Sequence, residues 1–548
     1  MSEISALQKV RSAYQPKLPA ALRAGAKVVV TKGNPLPAFA DTEKISQLFP
    51  STSNMPDLRF AAGSGEKGEA INAAVILSGG QAPGGHNVIA GIYDGLKSIN
   101  PNSKLYGFKG GPSGLVDNKY VEITDDFMDA YRNTGGFDMI GSGRTKLELP
   151  EQFDKARENC EKLNIKAIII IGGDDSNTNA CLLAEYYKAQ NAGIQVVGCP
   201  KTIDGDLKNA FVETSFGFDT ACKVYSELIG NIARDANSAK KYWHFIKLMG
   251  RSASHIALEC ILRTHVNKAI ISEEVAAKKQ TIAEIVNDLA DMIATRAENK
   301  ENFGVVLIPE GLIEFIPEMK KLISELNDLL AKEGENFTSI EAKDEKIKFI
   351  LDRLPADLKA VFASLPEAIQ LQLSNDRDPH GNVQVSLIET EKLLVELVKG
   401  KLKASGKKIK FGAQTHFFGY EGRCSVPSNF DADYCYSIGY NAAAIIANGK
   451  TAYMSSITNL VAPADQWVAG AVPLTAMMNI ERRHGEDKPV IKKALVELDG
   501  APFKKLVENR DKWAIETSFV FPGPIQYYGP AEVCDATTET LKLEHEGK

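Results

Sequence analysis

Two adjacent carboxylates follow a strongly apolar run near residue 170. The run Ala167–Ile171 predicts a buried strand, which leads through two glycines to Asp174 and Asp175. Phosphate sites usually carry small, neutral or cationic residues at such a turn, because anionic oxygens must approach backbone N–H groups of the next helix. Two aspartates fit such a site if one holds a metal and the other restricts what enters. The alternative is an aspartate pair that only caps a helix.

A second predicted strand, Gln195–Gly198, leads to a cation and two further carboxylates. These are Lys201, Asp204 and Asp206. Lys201 can neutralise charge on a transferring phosphate, and an ionised Asp204 can accept a proton from an alcohol. A metal, a phosphate and a general base are therefore all compatible with this pair of turns. A solvated surface turn is the alternative for the second one.

Glycine-rich turns recur earlier in the chain. The segment 78–87 follows the predicted strand Ala73–Leu77, and segment 135–146 carries the cations Arg144 and Lys146. Glycines let backbone amides approach phosphate oxygens at a helix N-terminus, and a guanidinium group is a multidentate phosphate donor. Neither a Walker A loop nor a GxGxxG fingerprint is present. The alternatives are a tight strand-to-helix turn and a solvated arginine.

Three more short motifs combine charge with glycine at predicted strand ends. They are Met249-Gly250-Arg251, Pro309-Glu310-Gly311 and Tyr420-Glu421-Gly422-Arg423. Open α/β sheets bind ligands at the carboxyl ends of their strands, and this set suits a sugar phosphate. The histidines at 86, 244, 255 and 416 lack ligand spacing and are interpreted as structural.

Composition restricts the class of protein. The 548 residues carry a net charge of -6, which argues against a broad nucleic-acid-binding face. We find no signal-peptide-like start and no apolar run long enough to span a membrane, so no membrane partner is expected. Eight cysteines without a CxxC pair predict reduced thiols in a cytoplasmic enzyme.

Taken in order, the motifs SGGQAPGGHN, GGFDMIGSGRTK, GGDDSNT, PKTIDGD, MGR, PEG and GYEGR closely resemble the phosphofructokinase family. The resemblance covers about residues 70–310 and 410–480. GGDDS and PKTIDGD resemble the pyrophosphate-dependent branch, since ATP-dependent members typically carry GGDGS. The N-terminal segment and a long insertion resemble the long-chain form of that branch.

The resemblance implies an activity and a set of partners. The activity is reversible, Mg²⁺-dependent phosphoryl transfer from pyrophosphate to the 1-hydroxyl of fructose 6-phosphate, giving fructose 1,6-bisphosphate and phosphate in glycolysis. It also implies a cytoplasmic homodimer with shared active sites. An ATP-dependent enzyme, a non-catalytic regulatory subunit and a nicotinamide-dependent dehydrogenase are the alternatives. The presence of Asp204 and Lys201 argues against the second, and the lack of a dinucleotide fingerprint against the third.

The resemblance also implies residue roles. Gly80 and Arg144 would contact the diphosphate, Asp174 would help to hold Mg²⁺, and Asp175 would block the space of an ATP α-phosphate. Lys201 would stabilise the transferring phosphate, Asp204 would be the base, and Arg251 would join them in catalysis. The residues that would bind the sugar phosphate are Thr202, Ile203, Asp204, Lys241, Tyr242, Met249, Gly250, Arg251, Glu310, Tyr420 and Arg423, with Lys241 and Tyr242 reaching a neighbouring subunit's site.

The expected fold class is α/β, with two doubly wound sheet domains of the phosphofructokinase type. Residues 1–70 read as an N-terminal arm. Residues 71–214 with about 431–480 predict the diphosphate-binding domain. Residues 215–311, with about 409–430 and a C-terminal part, predict the fructose 6-phosphate domain. Apolar residues at helical spacing predict a helical insertion over 312–408.

Overall fold

The computed structural model describes residues 4–375, 383–483 and 486–524. Its strands alternate with helices along most of the chain. The strands are β1 Val29–Pro35, β2 Pro56–Ala61, β3 Asn72–Ser78, β4 Lys104–Phe108, β5 Tyr120–Ile123, β6 Ser142–Gly143, β7 Ile165–Gly172, β8 Gln195–Thr202, β9 Phe216–Gly217, β10 Trp243–Leu248, β11 Lys268–Ala269, β12 Gly304–Pro309, β13 Ala413–Phe418, β14 Tyr453–Thr458, β15 Val468–Pro473, β16 Met478–Arg483 and β17 Glu486–Ile491.

The helices follow the same chain order, and six of those described come between β12 and β13. They are α1 Ala6–Ser12, α2 Thr42–Leu48, α3 Gly85–Ile99, α4 Pro112–Val116, α5 Asp125–Asp129, α6 Pro150–Lys162, α7 Asp174–Ala189, α8 Phe218–Ala239, α9 His255–Thr264, α10 Ser272–Ala277, α11 Ile282–Glu298, α12 Leu312–Phe315, α13 Pro317–Thr338, α14 Lys343–Leu351, α15 Ala356–Ser364, α16 Glu367–Asn375, α17 Thr390–Ala404, α18 Tyr420–Arg423, α19 Asn429–Ala447 and α20 Ala501–Ile515.

The contacts divide the chain into two compact units. Unit 1 contains the described residues up to Ala221 together with Arg423–Ala494, and unit 2 contains Cys222–Gly422 with Leu495–Pro524. The predicted division into a diphosphate domain and a sugar-phosphate domain stays a prediction, because a division by contacts does not test which ligand each unit binds.

Unit 1 is built around an 11-stranded mixed sheet. Its main path runs in the order β1-β2-β15-β14-β8-β7-β3-β4-β5, with β6 beside β3 and β9 beside β8. The central strands β3, β7 and β8 are parallel and buried along almost their whole length. Burial on both faces explains why β7 reads as a continuous apolar run and not as an alternating one. These three strands carry the loops of the candidate site at their carboxyl ends.

The N-terminal segment contains regular structure that the sequence interpretation did not predict. β1 and β2 form an antiparallel pair, and β2 joins the large sheet through β15. Most residues of β1 are exposed, as is usual for an edge strand. Short apolar runs among prolines indicated an extended arm, because a strand that is exposed on one side leaves only a weak alternation in the sequence.

Unit 2 contains a small parallel sheet with the order β11-β12-β10-β13. The described part of the range 312–408, where a helical insertion was predicted, contains α12 to α17; residues 376–382 lie outside the described residues. Its helices share one apolar core with β10, β12 and α11, so the insertion is part of this unit's core. None of the described helices is both long enough and apolar enough to cross a membrane.

Candidate active site

Other groups lie very close to the backbone of the loop between β3 and α3 in unit 1. Gly79 has φ +84°, a conformation that favours glycine, and its N–H donates to the Gly143 carbonyl at 2.9 Å. A Cβ atom at Gly80 would collide with the guanidinium group of Arg423. The two glycines therefore leave room for cations that a larger residue would displace.

Three cations surround this loop. The Nε of Arg423 donates to the Gln81 carbonyl at 2.7 Å. Arg144 and Lys201 also lie next to the glycines, and a Cβ atom at Gly79 would lie 3.1 Å from the Lys201 Nζ. Lys201 is only 6% exposed. Its pKa is lowered to about 8, mainly by burial and then by the positive charges of Arg423 and Arg144. Three cations this close together favour the binding of an anion at this loop.

The two adjacent aspartates are the first two residues of α7. The helix cap is Gly173, with no side-chain cap hydrogen bond, so the carboxylates do not cap the helix as the alternative supposed. Burial raises the pKa of Asp174, and the neighbouring carboxylates of Asp175 and Asp206 raise it further. Asp175 is more exposed, and its Oδ1 lies 3.9 Å from the Lys146 Nζ. The two neighbours therefore occupy different environments.

The turn after β8 holds the candidate base. The N–H of Asp204 donates to Thr202 Oγ1 at 3.1 Å, and Gly205 adopts φ +75°. Asp206 is 5% exposed, and its pKa is raised by burial and by the charge of Asp204. Asp204 is less buried than Asp206, so it keeps the access that a proton acceptor for a substrate needs.

One residue of this cluster was missed by the sequence interpretation. The Nζ of Lys493 lies 3.5 Å from Asp174 Oδ2 and 3.7 Å from Asp206 Oδ2. Lys493 follows β17, more than 280 residues after the nearest motif that it contacts. It belongs to none of the recognised motifs, so no local signal could have found it.

Asp174 is the residue in unit 1 that best fits a metal. Its Oδ2 atom is buried without a hydrogen-bond partner. Within the described ranges, no group of three or more His, Cys, Asp or Glu side chains is arranged to hold a metal ion. Mg²⁺ is often bound by one or two carboxylates together with substrate phosphate oxygens and water, so Asp174 alone could serve as its protein ligand.

In unit 2, the predicted sugar-phosphate residues meet at the carboxyl ends of β10 and β12. The N–H of Gly250 donates to Glu310 Oε2 at 2.8 Å, and Gly250 has φ +128°. A Cβ atom at Gly311 would collide with the Arg251 carbonyl, so these two turns pack directly on each other. The side chain of Arg251 is exposed, and Met249 is buried.

The other predicted sugar-phosphate residues are divided between the two units. Lys241 and Tyr242 immediately precede β10, at the opposite end of the strand from Met249. Six strand residues span about 20 Å, so one chain does not bring these two residues to the Gly250–Glu310 turns of unit 2. Tyr420 is 68% exposed in unit 2. Arg423, by contrast, belongs to unit 1 and lies against the glycine loop.

Comparisons with known proteins agree with this arrangement. The phosphofructokinase family model matches residues 72–350, which contain most of the motifs described above. A pyrophosphate-dependent phosphofructokinase structure from Nitrosospira multiformis shares the fold with a TM-score of 0.55 at 16% identity, covering 82% of this chain and 92% of that one. The predicted α/β class with two sheet domains is confirmed.

Two curated relatives match over almost their full length. The pyrophosphate–fructose 6-phosphate 1-phosphotransferase of Porphyromonas gingivalis is 56% identical, over 98% of this chain and 99% of the relative. The protein of the same name from Entamoeba histolytica is 52% identical, over 99% of each. The resemblance drawn from the motifs is confirmed: this chain belongs to the phosphofructokinase family.

Proposed function

We propose that this chain catalyses reversible phosphoryl transfer from pyrophosphate to the 1-hydroxyl of fructose 6-phosphate, producing fructose 1,6-bisphosphate and phosphate. The observation that carries the proposal is the buried Lys201 between Arg144, Arg423 and two glycines. Three cations at one glycine-rich loop repel one another, and a diphosphate relieves that repulsion. The names of the full-length relatives support the same reaction.

Lys201 and Asp204 carry the chemical step. The attacking 1-hydroxyl passes its proton to Asp204 as the bond to phosphorus forms. The ammonium group of Lys201 and the Arg144 guanidinium stabilise the charge that spreads over the phosphate oxygens. Phosphate leaves with the former bridging oxygen. In the reverse direction, protonated Asp204 returns its proton to the sugar oxygen.

Asp174 is proposed as the protein ligand of Mg²⁺, because its buried Oδ2 has no hydrogen-bond partner. When bound, Mg²⁺ would neutralise charge on the diphosphate oxygens. Asp175 sits beside it at the start of α7 with a more exposed carboxylate. Unit charges about 4 Å apart interact by roughly 4 kcal/mol at an effective dielectric near 20, so Asp175 would repel the α-phosphate of ATP. Pyrophosphate is shorter and ends before that position.

Glu310, Gly250 and Arg251 are proposed to bind the sugar phosphate, with Met249, Tyr420, Thr202 and Ile203. Arg251 is suited to the 6-phosphate, since a guanidinium group binds phosphate through two parallel hydrogen bonds. The distance between the two ends of β10 supports a homodimer in which Lys241 and Tyr242 serve the partner's site. Among the described residues, seven cysteines form no disulfide and six of them are buried, which supports the proposal of a cytoplasmic location; the eighth, Cys534, lies outside the described residues.

A coupled assay tests the donor. Purified protein is given fructose 6-phosphate and saturating Mg²⁺, with either pyrophosphate or ATP as donor, and fructose 1,6-bisphosphate is measured. Pyrophosphate should support turnover, and the reverse reaction should release pyrophosphate from fructose 1,6-bisphosphate and phosphate. Robust turnover with ATP and none with pyrophosphate would refute the proposal.

A further inference from the structure

Lys493 is held in unit 1 by backbone contacts on both sides. The N–H of Ile491, at the end of β17, donates to Thr178 Oγ1 at 3.1 Å, and Thr178 lies on α7. The N–H of Ala494 donates to the Asp206 carbonyl at 2.7 Å. The segment that carries Lys493 is therefore tied to both elements that supply the aspartates of the site. Its position is a built feature of this fold and not a chance contact of a long side chain.

The ammonium group lies between carboxylates of two different elements. It is 3.5 Å from the Oδ2 of Asp174 and 3.7 Å from the Oδ2 of Asp206. Charge-assisted N–H···O bonds are usually shorter, about 2.7–2.9 Å. The Asp174 oxygen that faces Lys493 is the buried oxygen without a hydrogen-bond partner. The Lys493 ammonium group thus stands near the buried carboxylate of Asp206 and the partly buried carboxylate of Asp174.

We infer that Lys493 is a positioning residue that compensates Asp174 and Asp206 in the metal-free enzyme and is displaced when the divalent metal enters with the diphosphate. The inference rests on the proposed role of Asp174 as a metal ligand. The carboxylates of Asp174 and Asp206 would repel each other without a nearby cation, so a resident ammonium group keeps them in place. The same group competes with free metal, which favours entry of the metal as its diphosphate complex.

The test compares Lys493→Met with the parent and with Lys492→Met. Lys492 is the matched control, because it is the neighbouring lysine and its recorded ion pair is with Glu481 at 4.0 Å. Mn²⁺ binding to the protein without diphosphate is measured by electron paramagnetic resonance, and thermal unfolding is followed in EDTA and in Mg²⁺.

Lys493→Met should bind Mn²⁺ roughly 10- to 100-fold more tightly than the parent, because a competing charge is gone. It should melt at a lower temperature in EDTA and gain more from Mg²⁺ than the parent does. Lys492→Met should match the parent in both measurements. Equal Mn²⁺ affinity in Lys493→Met and the parent, or an equal rise in Tm on adding Mg²⁺, overturns the inference.

A second pair of variants covers the case in which Lys493→Met does not fold. Asp206→Asn removes one of the two charges, so the double variant with Lys493→Met leaves one carboxylate uncompensated. The double variant should bind Mn²⁺ more tightly than Asp206→Asn alone, and equal affinity counts against the inference. Asp174→Asn tests the proposed function separately. An unchanged Mg²⁺ requirement for turnover would show that Asp174 is not the metal ligand, whatever the result with Lys493→Met.

Discussion

The charged clusters of unit 1 and unit 2 differ in how far their side chains are buried. In unit 1, Lys201 and Asp206 are almost fully buried, and cations and carboxylates from distant segments offset one another. In unit 2, Glu310 is buried and accepts the Gly250 N–H, while Arg251 and Tyr420 extend into solvent. Two charged side chains of the first cluster are buried, whereas the second cluster exposes two of its side chains.

This difference in burial predicts which residues contribute mainly to catalysis and which contribute mainly to substrate affinity. Groups held in a buried, preorganised cluster act most strongly on charge that develops in the transition state. Exposed side chains pay rotamer entropy on binding and contribute mainly to affinity for the ground state. Variants of the charged cluster in unit 1 should therefore change kcat, whereas variants among the exposed residues of unit 2 should change KM. The first three of the four predictions below test this contrast, and the fourth concerns a buried residue of unit 1 outside the cluster.

Asp204→Asn should give the largest effect. The amide keeps the shape of the side chain but cannot accept the proton, so kcat should fall on the order of 10²–10⁴-fold. Fructose 6-phosphate binding, measured by titration calorimetry, should stay close to that of the parent. Asp117→Asn, an exposed aspartate paired with Lys119, is the control and should behave as the parent. An unchanged kcat in Asp204→Asn would show that another group is the base.

Asp175→Gly and Lys201→Gly should separate donor choice from charge stabilisation. Asp175→Gly should relieve repulsion and let ATP bind measurably, while pyrophosphate use falls. Lys201→Gly should lower the pyrophosphate rate roughly 10²–10³-fold, because the cation acts where charge develops. The effects should not add in the double variant, since both positions face one phosphate site. We would measure kcat/KM for both donors in all four proteins. ATP remaining as poor a donor for Asp175→Gly as for the parent would contradict the blocking role.

Lys241→Ala should have a smaller effect than the variants above. The effect should be on affinity for fructose 6-phosphate. Losing one charge-assisted hydrogen bond, worth about 1.5–3 kcal/mol, should raise KM for fructose 6-phosphate roughly 10- to 100-fold with little change in kcat. Mixed dimers of Lys241→Ala and Asp204→Asn chains should regain a site with the parent's KM for fructose 6-phosphate, because one of the two sites then takes Asp204 from one chain and Lys241 from the other. Lys240→Ala is the neighbouring control. Verified mixed dimers whose KM stays at the Lys241→Ala value would argue against shared sites.

Protonation of His86 should lower the stability of the fold and should not affect catalysis. Burial lowers its pKa from 6.5 to about 4, although the nearby Asp138 acts in the opposite direction. Its Nε2 accepts the Met139 N–H at 3.1 Å, so a proton there would break this bond. The folded pKa lies below the unfolded value. The neutral ring therefore contributes fully above pH 6.5, and stability is lost as the pH falls toward 4.

The loss of unfolding free energy expected from this pKa shift is on the order of 3 kcal/mol. Urea unfolding midpoints at pH 7.5 and pH 4.5 should show it in the parent. His86→Gln can still accept the Met139 N–H and does not titrate, so its midpoint should fall less between the two pH values. Equal losses in both proteins would mean that His86 does not sense this pH range.

Much of the architecture could be predicted from local patterns. The apolar run at Ala167–Ile171 became the centre of β7, and the predicted strand at Gln195–Gly198 became the start of β8. The helical spacing after residue 312 marked the insertion correctly. These signals are local, since each depends on residues within a few positions of one another. β1, an exposed edge strand, was missed because it lacks such a pattern, and its neighbour β2 was missed with it.

Residue types and motif order by themselves determined the family and the expected chemistry. Tertiary structure decided which of those groups share a cluster. It brought Arg423 against Gly80 and Lys493 between Asp174 and Asp206, across separations of about 290 to 340 residues. It also put Lys241 and Met249 at opposite ends of one strand. The physical reason is that a motif records local backbone and side-chain chemistry, whereas convergence of distant side chains depends on how sheets and helices pack.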